Sequence, residues 1–137
     1  MKLLLMLTAV VEGLTGLSLL LAPSLTSSML LGVEINESVG LVVGRVAGAA
    51  VLALAIACWQ ARDGERGSAS TGVVAAMLFY NASVESILVY AGVRLEFQSP
   101  LIWPVIVIHN VLGIWCLLIL WRTSRRPAVG TASPVAE

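Results

Sequence analysis

Four long apolar stretches, separated by short polar segments, dominate the pattern of residues along this chain. Each stretch is about 20 residues long, which is enough for a helix rising about 1.5 Å per residue to cross a hydrocarbon layer of about 30 Å. Because lipid offers the backbone no hydrogen-bond partners, such stretches are expected to be helical. The pattern therefore predicts an all-α fold, an integral membrane antiparallel four-helix bundle formed by residues 1–122. The predicted helices lie at about 3–22, 39–59, 72–93 and 101–121.

Prolines and polar residues set the predicted ends of these helices. Pro23 ends the first helix, and Pro100 and Pro104 frame the start of the fourth, where a missing N–H costs little. Residues 24–32 are predicted to form a short helix at the membrane interface. Residues 60–71 form a polar loop, and residues 123–137 are predicted to be a disordered cytoplasmic tail.

The composition supports a membrane protein and excludes several other classes. Hydrophobic residues make up 58% of the 137 residues and charged residues 12%, and the mean hydropathy is +0.96. Soluble domains average about 45–50% apolar and about 25% charged residues, so a soluble enzyme or a disordered chain is not expected. Because the formal net charge is zero, there is no basic surplus that would indicate a nucleic-acid partner.

The distribution of cations predicts the orientation in the membrane. Arg94 is the one cation expected on the outer side, whereas six are expected on the inner side, so both termini are predicted to face the cytoplasm of a bacterial inner (plasma) membrane. A cleaved signal peptide at residues 1–22 is the alternative for the first helix, but Glu12 interrupts its apolar run and Pro23 suits cleavage poorly. The six inner cations are Lys2, Arg62, Arg66, Arg122, Arg125 and Arg126.

Small residues in the second predicted span indicate a close helix contact. Gly40, Gly44 and Gly48 recur every four residues, a spacing that lets a neighbouring helix approach. The pattern fits a homodimer, another membrane partner or a helix of the same chain. Cys58 and Cys116 lack metal-ligand or Cys-x-x-Cys spacing, so they are expected to be buried free thiols.

Polar residues inside the apolar stretches are the main candidates for function. Counted inward from the outer helix ends, all six fall about 9 to 18 Å deep, and charged groups at such depths normally face the bundle interior. This layer predicts an intramembrane polar pocket in the outer half of the bundle. The six residues are Glu12, Arg45, Asn81, Glu85, His109 and Asn110.

Depth and chemistry suggest how these side chains pair. Arg45 and Glu85 lie at similar depths, and an arginine fork can hold a carboxylate bidentately. Glu12 is then left near His109, the side chain whose protonation changes near neutral pH. Such a set either only fixes the register of the helices or binds ligand or protons. Asn81 is expected to form an interhelical hydrogen bond, as is the sixth member of the layer.

Scattered motifs resemble those of small bacterial four-helix membrane proteins with a DoxX-like layout. This resemblance covers about residues 3–122 and implies a membrane subunit of a redox or thiol-stress system, with no catalytic residues to carry over. The motifs are Pro23…Gly32, Arg45-Val-Ala-Gly48, Cys58-Trp59, Tyr80-Asn81, Tyr90-Ala91-Gly92, Trp103-Pro104 and His109.

A second resemblance is confined to the first helix. The run from Ala9 to Gly16 is similar to the first helix of small multidrug resistance transporters, which implies that Glu12 exchanges protons. The other three helices depart from that pattern, since Arg45, Glu85 and His109 are foreign to a pore built around one acid.

These observations lead to ranked hypotheses for function. The first is a membrane protein of unknown activity whose pocket, lined by Glu12, Arg45, Asn81, Glu85 and His109, binds a small lipophilic molecule, or that serves as a subunit of a membrane complex. The alternative is a proton-coupled transporter using Glu12. An intramembrane isomerase or hydrolase ranks below both because no nucleophile, metal-site or cofactor motif is present, and the cofactor is left open.

Overall fold

A computed structural model confirms the all-helical structure predicted from the sequence. It describes residues 1–64 and 68–125, and for Ser68 it describes the backbone alone. In this part of the chain there are five helices and no strand. Four of them, all but α2, are long and apolar enough to cross a membrane, so the chain is a multi-pass membrane protein. The helices are α1 (Lys2–Leu21), α2 (Pro23–Leu31), α3 (Ser38–Ala61), α4 (Ser68–Arg94) and α5 (Ile102–Ser124).

The spanning helices extend somewhat beyond their predicted ends. The polar loop expected at residues 60–71 is shorter, because α3 continues to Ala61 and α4 begins at Ser68. Helix α5 runs to Ser124, so the first residues of the predicted tail are helical. Residues 126–137 of that tail and residues 65–67 of the loop lie outside the described residues.

The short helix predicted after the first span is confirmed as α2. The backbone breaks at Ala22 (φ −138°, ψ 65°), and Pro23 begins the new helix, where its fixed φ and missing N–H are tolerated. Gly32 ends it in the left-handed region, with φ 74°. A Cβ at Gly32 would also lie 2.5 Å from the Gln98 carbonyl oxygen, so the position requires glycine for two reasons.

The spanning helices alternate in direction, as predicted for an antiparallel bundle. An ion pair of 2.7 Å between Lys2 and Asp63 joins the start of α1 to the end of α3. At this same end, an apolar cluster packs the early residues of α1 and α4 against the late residues of α3 and α5. We call it the inner cluster. It comprises Leu4, Leu5, Ala9, Cys58, Val74, Met77, Leu112 and Cys116, and its two cysteines are free and buried, as predicted.

Two arginines lie over tryptophan rings at this end of the bundle. The guanidinium carbon of Arg62 is 3.9 Å from the ring centroid of Trp59, and that of Arg125 is 3.8 Å from the ring centroid of Trp121. Cationic and aromatic side chains are typical of a membrane–water interface. The arrangement fits the predicted inner face.

The helices pack as two close pairs, α1 with α3 and α4 with α5, and contacts between the pairs are sparse. The α1–α3 pair is closest at Gly16 and Gly48, where an added Cβ would lie 2.5 to 2.9 Å from backbone atoms of the facing helix. A Cβ at Gly44 would lie 2.8 Å from the Pro23 side chain, and one at Gly40 would lie 2.6 Å from Ile35. The chain's own α1, α2 and Ile35 therefore cover the glycine stripe. The prediction of a partner surface there is corrected, since no room is left at Gly44 and Gly48 for a second chain.

Candidate functional site

A group of buried polar side chains lies between two apolar clusters of the bundle. At the end of the bundle opposite the inner cluster, Ala91, Ile102 and Ile106 form a second apolar cluster. Between them, α4 contributes Tyr80 and Asn81 and α5 contributes His109, and two turns of α1 complete the layer. We call this group the polar cluster. It consists of Thr8, Glu12, Tyr80, Asn81 and His109.

Helix α1 places Glu12 in the interior. Thr8, Glu12 and Gly16 recur every four residues, so they share one face of the helix, and all three are buried. The Glu12 side chain is only 1% exposed. The Tyr80 hydroxyl, from α4, donates a hydrogen bond of 2.9 Å to Glu12 Oε2, whereas Oε1 has no hydrogen-bond partner among the described residues. This bond joins the two helix pairs.

Tyr80 stands between Glu12 and His109. The rings of Tyr80 and His109 are tilted by 48° with their centroids 6.0 Å apart. Nδ1 of His109 lies 2.9 Å from the Val105 carbonyl oxygen, one turn earlier in α5. A carbonyl only accepts hydrogen bonds, so Nδ1 carries the hydrogen and Nε2 is left as the acceptor of the neutral ring. Tyr80 therefore contacts both residues, Glu12 through its hydroxyl and His109 through its ring.

Asn81 is fully buried, but it does not form the predicted interhelical hydrogen bond. Its Nδ2 donates to the Met77 carbonyl oxygen in its own helix, at 2.7 Å. Its Oδ1 has no partner in the described part of the chain, and neither has Thr8 Oγ1. A buried polar atom without a partner costs about 1–3 kcal/mol. With Glu12 Oε1, the polar cluster contains three buried atoms that have no hydrogen-bond partner in the described part of the chain, one each from Thr8, Glu12 and Asn81.

Arg45 and Glu85 lie outside the polar cluster, and they do not form the predicted ion pair within the chain. Arg45 is exposed on α3, because Gly44 and Gly48 occupy the face of α3 that turns toward α1 and α2. Glu85 is half-buried, and its Oε1 accepts a hydrogen bond of 2.7 Å from Nδ2 of Asn110 on α5. The interhelical hydrogen bond predicted for Asn110 is thus confirmed. The similar depths of Arg45 and Glu85 in the membrane did not predict their pairing within the chain, because depth does not specify which way a side chain points around its helix.

Sequence analysis did not assign Tyr80 to the site. Tyrosine in a spanning helix is typical of the two interfaces with water, where its hydroxyl is solvated. Tyr80 instead lies near the middle of α4, next to the candidate Asn81. Its position within the span was the signal that pointed to a buried partner for its hydroxyl.

An apolar groove lies toward the end of the bundle that is opposite the inner cluster. Its volume is about 450 Å³, and it lies between α1, α2 and the start of α5. Thr15 lines this groove about one helical turn from Glu12, on the same side of α1. Its other lining residues include Leu14, Leu21, Met29 and Leu101. A molecule in the groove would therefore have one end about one helical turn from Glu12 along α1.

Comparison with models of known families, with curated proteins and with solved structures found no significant match to this chain. The DoxX-like and multidrug-transporter resemblances stay predictions. In the described residues, no group of three or more His, Cys, Asp or Glu residues is placed to hold a metal ion. The fold and the polar cluster define a class, a multi-pass α-helical membrane protein with ionisable side chains buried between two helix pairs.

Proposed function

We propose that this membrane protein binds a small lipophilic molecule and that the polar cluster holds the polar head of that molecule. The observation that carries the proposal is a set of three buried atoms that have no hydrogen-bond partner among the described residues, Thr8 Oγ1, Glu12 Oε1 and Asn81 Oδ1. Because such atoms are costly when unpaired, a group that completes their hydrogen bonds gains free energy on binding.

The chemistry of these atoms limits the kind of head group. Asn81 Oδ1 can only accept a hydrogen bond, and Glu12 Oε1 accepts when the carboxyl is ionised. The Thr8 hydroxyl both donates and accepts. The head group is therefore a hydrogen-bond donor, a hydroxyl or an amine. The apolar groove beside Thr15 suits an aliphatic or aromatic body on the same molecule.

Native mass spectrometry of the protein released from lipid nanodiscs tests the proposal. Wild type is expected to carry a reproducible extra mass that organic extraction releases as a lipophilic alcohol, phenol or amine. Asn81→Leu and Glu12→Leu should lower its occupancy by about tenfold or more, since each removes an acceptor. The matched control is Asn110→Leu, the same substitution at an exposed asparagine of α5, which should retain the molecule. A bare wild-type chain, or equal occupancy in all variants, contradicts the proposal.

A second candidate is proton-coupled transport by Glu12. It is favoured by the two close helix pairs with sparse contacts between them, joined at this level by the Tyr80–Glu12 hydrogen bond. Movement of one pair against the other would break that bond and expose the carboxyl. Proteoliposomes with an internal pH dye should then show substrate-driven proton release that Glu12→Gln abolishes. Equal signals from wild type and Glu12→Gln would count against transport.

The kind of membrane, the orientation of the chain and a role in a larger complex are part of the same proposal. A bacterial inner membrane with both termini inside is supported by the cations near the inner cluster and by the outer loops, which carry the single cation Arg94. A reporter enzyme fused after Glu137, active on only one side of the membrane, tests the orientation. A role as a subunit of a larger complex, as the DoxX-like layout implies, predicts co-purification of a second membrane protein at fixed stoichiometry.

A further inference from the structure

Arg45 is a charged side chain on the outside of the membrane-spanning bundle. It is exposed on α3 between Val42 and Val46, which are themselves 58% and 64% exposed. It takes part in neither of the ion pairs found among the described residues. An arginine in the hydrocarbon region costs at least about 2.5–3.5 kcal/mol unless it finds a partner or reaches the interface.

Glu85 presents the opposite charge on another part of the bundle surface. It is half-buried, and its hydrogen bond from Asn110 leaves Oε2 without a partner among the described residues. Asn110 is exposed and lies between Val107 and Ile114, which are 60% and 52% exposed. A short carboxylate side chain cannot reach the interface as a long arginine can. The Glu85–Asn110 pair is thus a polar patch on an otherwise apolar face.

The two charges lie at similar depths in the membrane. Arg45 is about 10 Å from the outer end of α3 at Ser38, and Glu85 is about 14 Å from the outer end of α4 at Arg94. A second copy inserted in the same orientation has its own Arg45 and Glu85 at those same depths. Any other partner would need a matching charge at the same level.

From this complementarity we infer that the protein self-associates in the membrane, with Arg45 of one copy paired to Glu85 of another. The arginine fork can bind the carboxylate while Asn110 continues to donate to Oε1. Because each copy offers both residues, the contact forms twice in a two-fold dimer whose interface includes both α3 and α4. The contact removes both charges from lipid and is separate from the glycine stripe, which the chain itself covers. It does not depend on the proposed ligand.

Charge reversal in single and mixed variants tests the inferred contact. In Arg45→Glu both positions are acidic and in Glu85→Arg both are basic, so each variant alone should associate at least about tenfold more weakly than wild type. When the two variants are mixed, every contact between unlike copies joins an acid to a base. Energy transfer between donor- and acceptor-labelled copies in liposomes should therefore show association of the mixture alone. The double variant carrying both reversals should self-associate again.

Arg94→Glu is the matched control. Arg94 is an exposed cation at the end of the same helix as Glu85, outside the apolar span, so its reversal should leave association unchanged. Three results overturn the inference: a monomeric wild type, Arg45→Glu copies that associate as well as wild type, or a mixture that fails to restore association. The second result would indicate that Arg45 reaches the lipid head groups instead.

Chemical cross-linking in the membrane keeps the inference testable if a reversed charge prevents insertion. In a background carrying Cys58→Ala and Cys116→Ala, one tagged copy carries Ala49→Cys and a differently tagged copy carries Ala82→Cys, two exposed positions one turn from Arg45 and Glu85, which stay in place. Because a direct disulfide needs Cα atoms within about 7 Å, a bifunctional maleimide that spans about 10 Å is used, and it should give a covalent dimer containing both tags. A pair made from Arg94→Cys and Ala82→Cys should give none, and absence of the mixed dimer in the first pair refutes the contact.

Discussion

The closest approach in the bundle, between Gly16 of α1 and Gly48 of α3, allows a quantitative test of the packing. A Cβ at Gly48 would lie 2.5 Å from the backbone nitrogen of Leu20 and 2.8 Å from the carbonyl oxygen of Gly16. Ordinary contact begins near 3.4 Å, and backbone atoms cannot rotate aside. In Gly48→Ala the two helices must therefore separate by about 1 Å, a gap that forfeits about half of each affected dispersion contact.

The energetic cost of this separation exceeds the gain from a better helix former. Overpacking of a close contact costs about 1–3 kcal/mol, whereas alanine in place of glycine gains at most about 1 kcal/mol in helix propensity. Gly13→Ala is the matched control in the same interface, because its Cβ would meet only the Ala55 side chain, at 3.8 Å. We expect Gly48→Ala to be about 2 kcal/mol less stable than Gly13→Ala, about thirtyfold in the folding equilibrium.

The protein's own thiols provide the assay. Cys58 and Cys116 are buried in the inner cluster, so a fluorogenic maleimide should label them only when the bundle opens. Labelling followed against temperature in mild detergent should give a lower midpoint for Gly48→Ala than for Gly13→Ala. Gly16→Ala should resemble Gly48→Ala, and the two losses should not add, since one separation relieves both contacts. Equal midpoints for Gly48→Ala and Gly13→Ala would refute the close approach of α1 and α3.

Two further predictions concern the polar cluster and the inner end. Tyr80→Phe leaves both Glu12 oxygens without a partner in the cluster and should destabilise the protein by about 1–3 kcal/mol in the same thiol assay, whereas Tyr90→Phe, at an exposed position, should be neutral. The hydrogen bond from Lys2 holds the pKa of the exposed Asp63 carboxyl below its usual range, and NMR titration should show that Lys2→Gln raises this pKa toward its ordinary value. Because the folded-state pKa of Asp63 is lowered, its small contribution to stability is present above the ordinary pKa and is lost as the pH falls through the lowered value. An Asp63 titration unchanged by Lys2→Gln would show that the pair does not persist in solution.

The polar cluster lies where the two helix pairs meet. Contacts within α1–α3 and within α4–α5 are extensive, while contacts between the pairs are sparse. Glu12 belongs to the first pair, and Tyr80 and His109 belong to the second. A polar layer at such a seam can open for a ligand or a proton without disrupting either pair. This is why the ligand and transport proposals share the same residues and differ in the measurement that tests them.

The apolar stretches and prolines were enough to predict the spanning helices and the short α2. Their length and composition leave the backbone no other way to satisfy its hydrogen bonds in lipid, so local sequence alone specifies them. The charge pattern likewise predicted that the N-terminus and the loop after the second span lie at one end of the bundle, and the Lys2–Asp63 pair agrees with it. The helices and the charge pattern depend only on the residues of each segment and on whether lipid or water surrounds it. They can therefore be read from each segment of the sequence separately.

The composition of the site depended on the tertiary structure. The sequence placed Glu12, Arg45 and His109 in one layer, but depth along a helix does not fix the direction of a side chain around it. The close contact of α1 with α3 turned Gly44 and Gly48 inward and therefore left Arg45 outside. The sequence alone thus determined which charged residues enter the membrane, and the packing of α1 on α3 and α4 on α5 decided which of them the protein buries together.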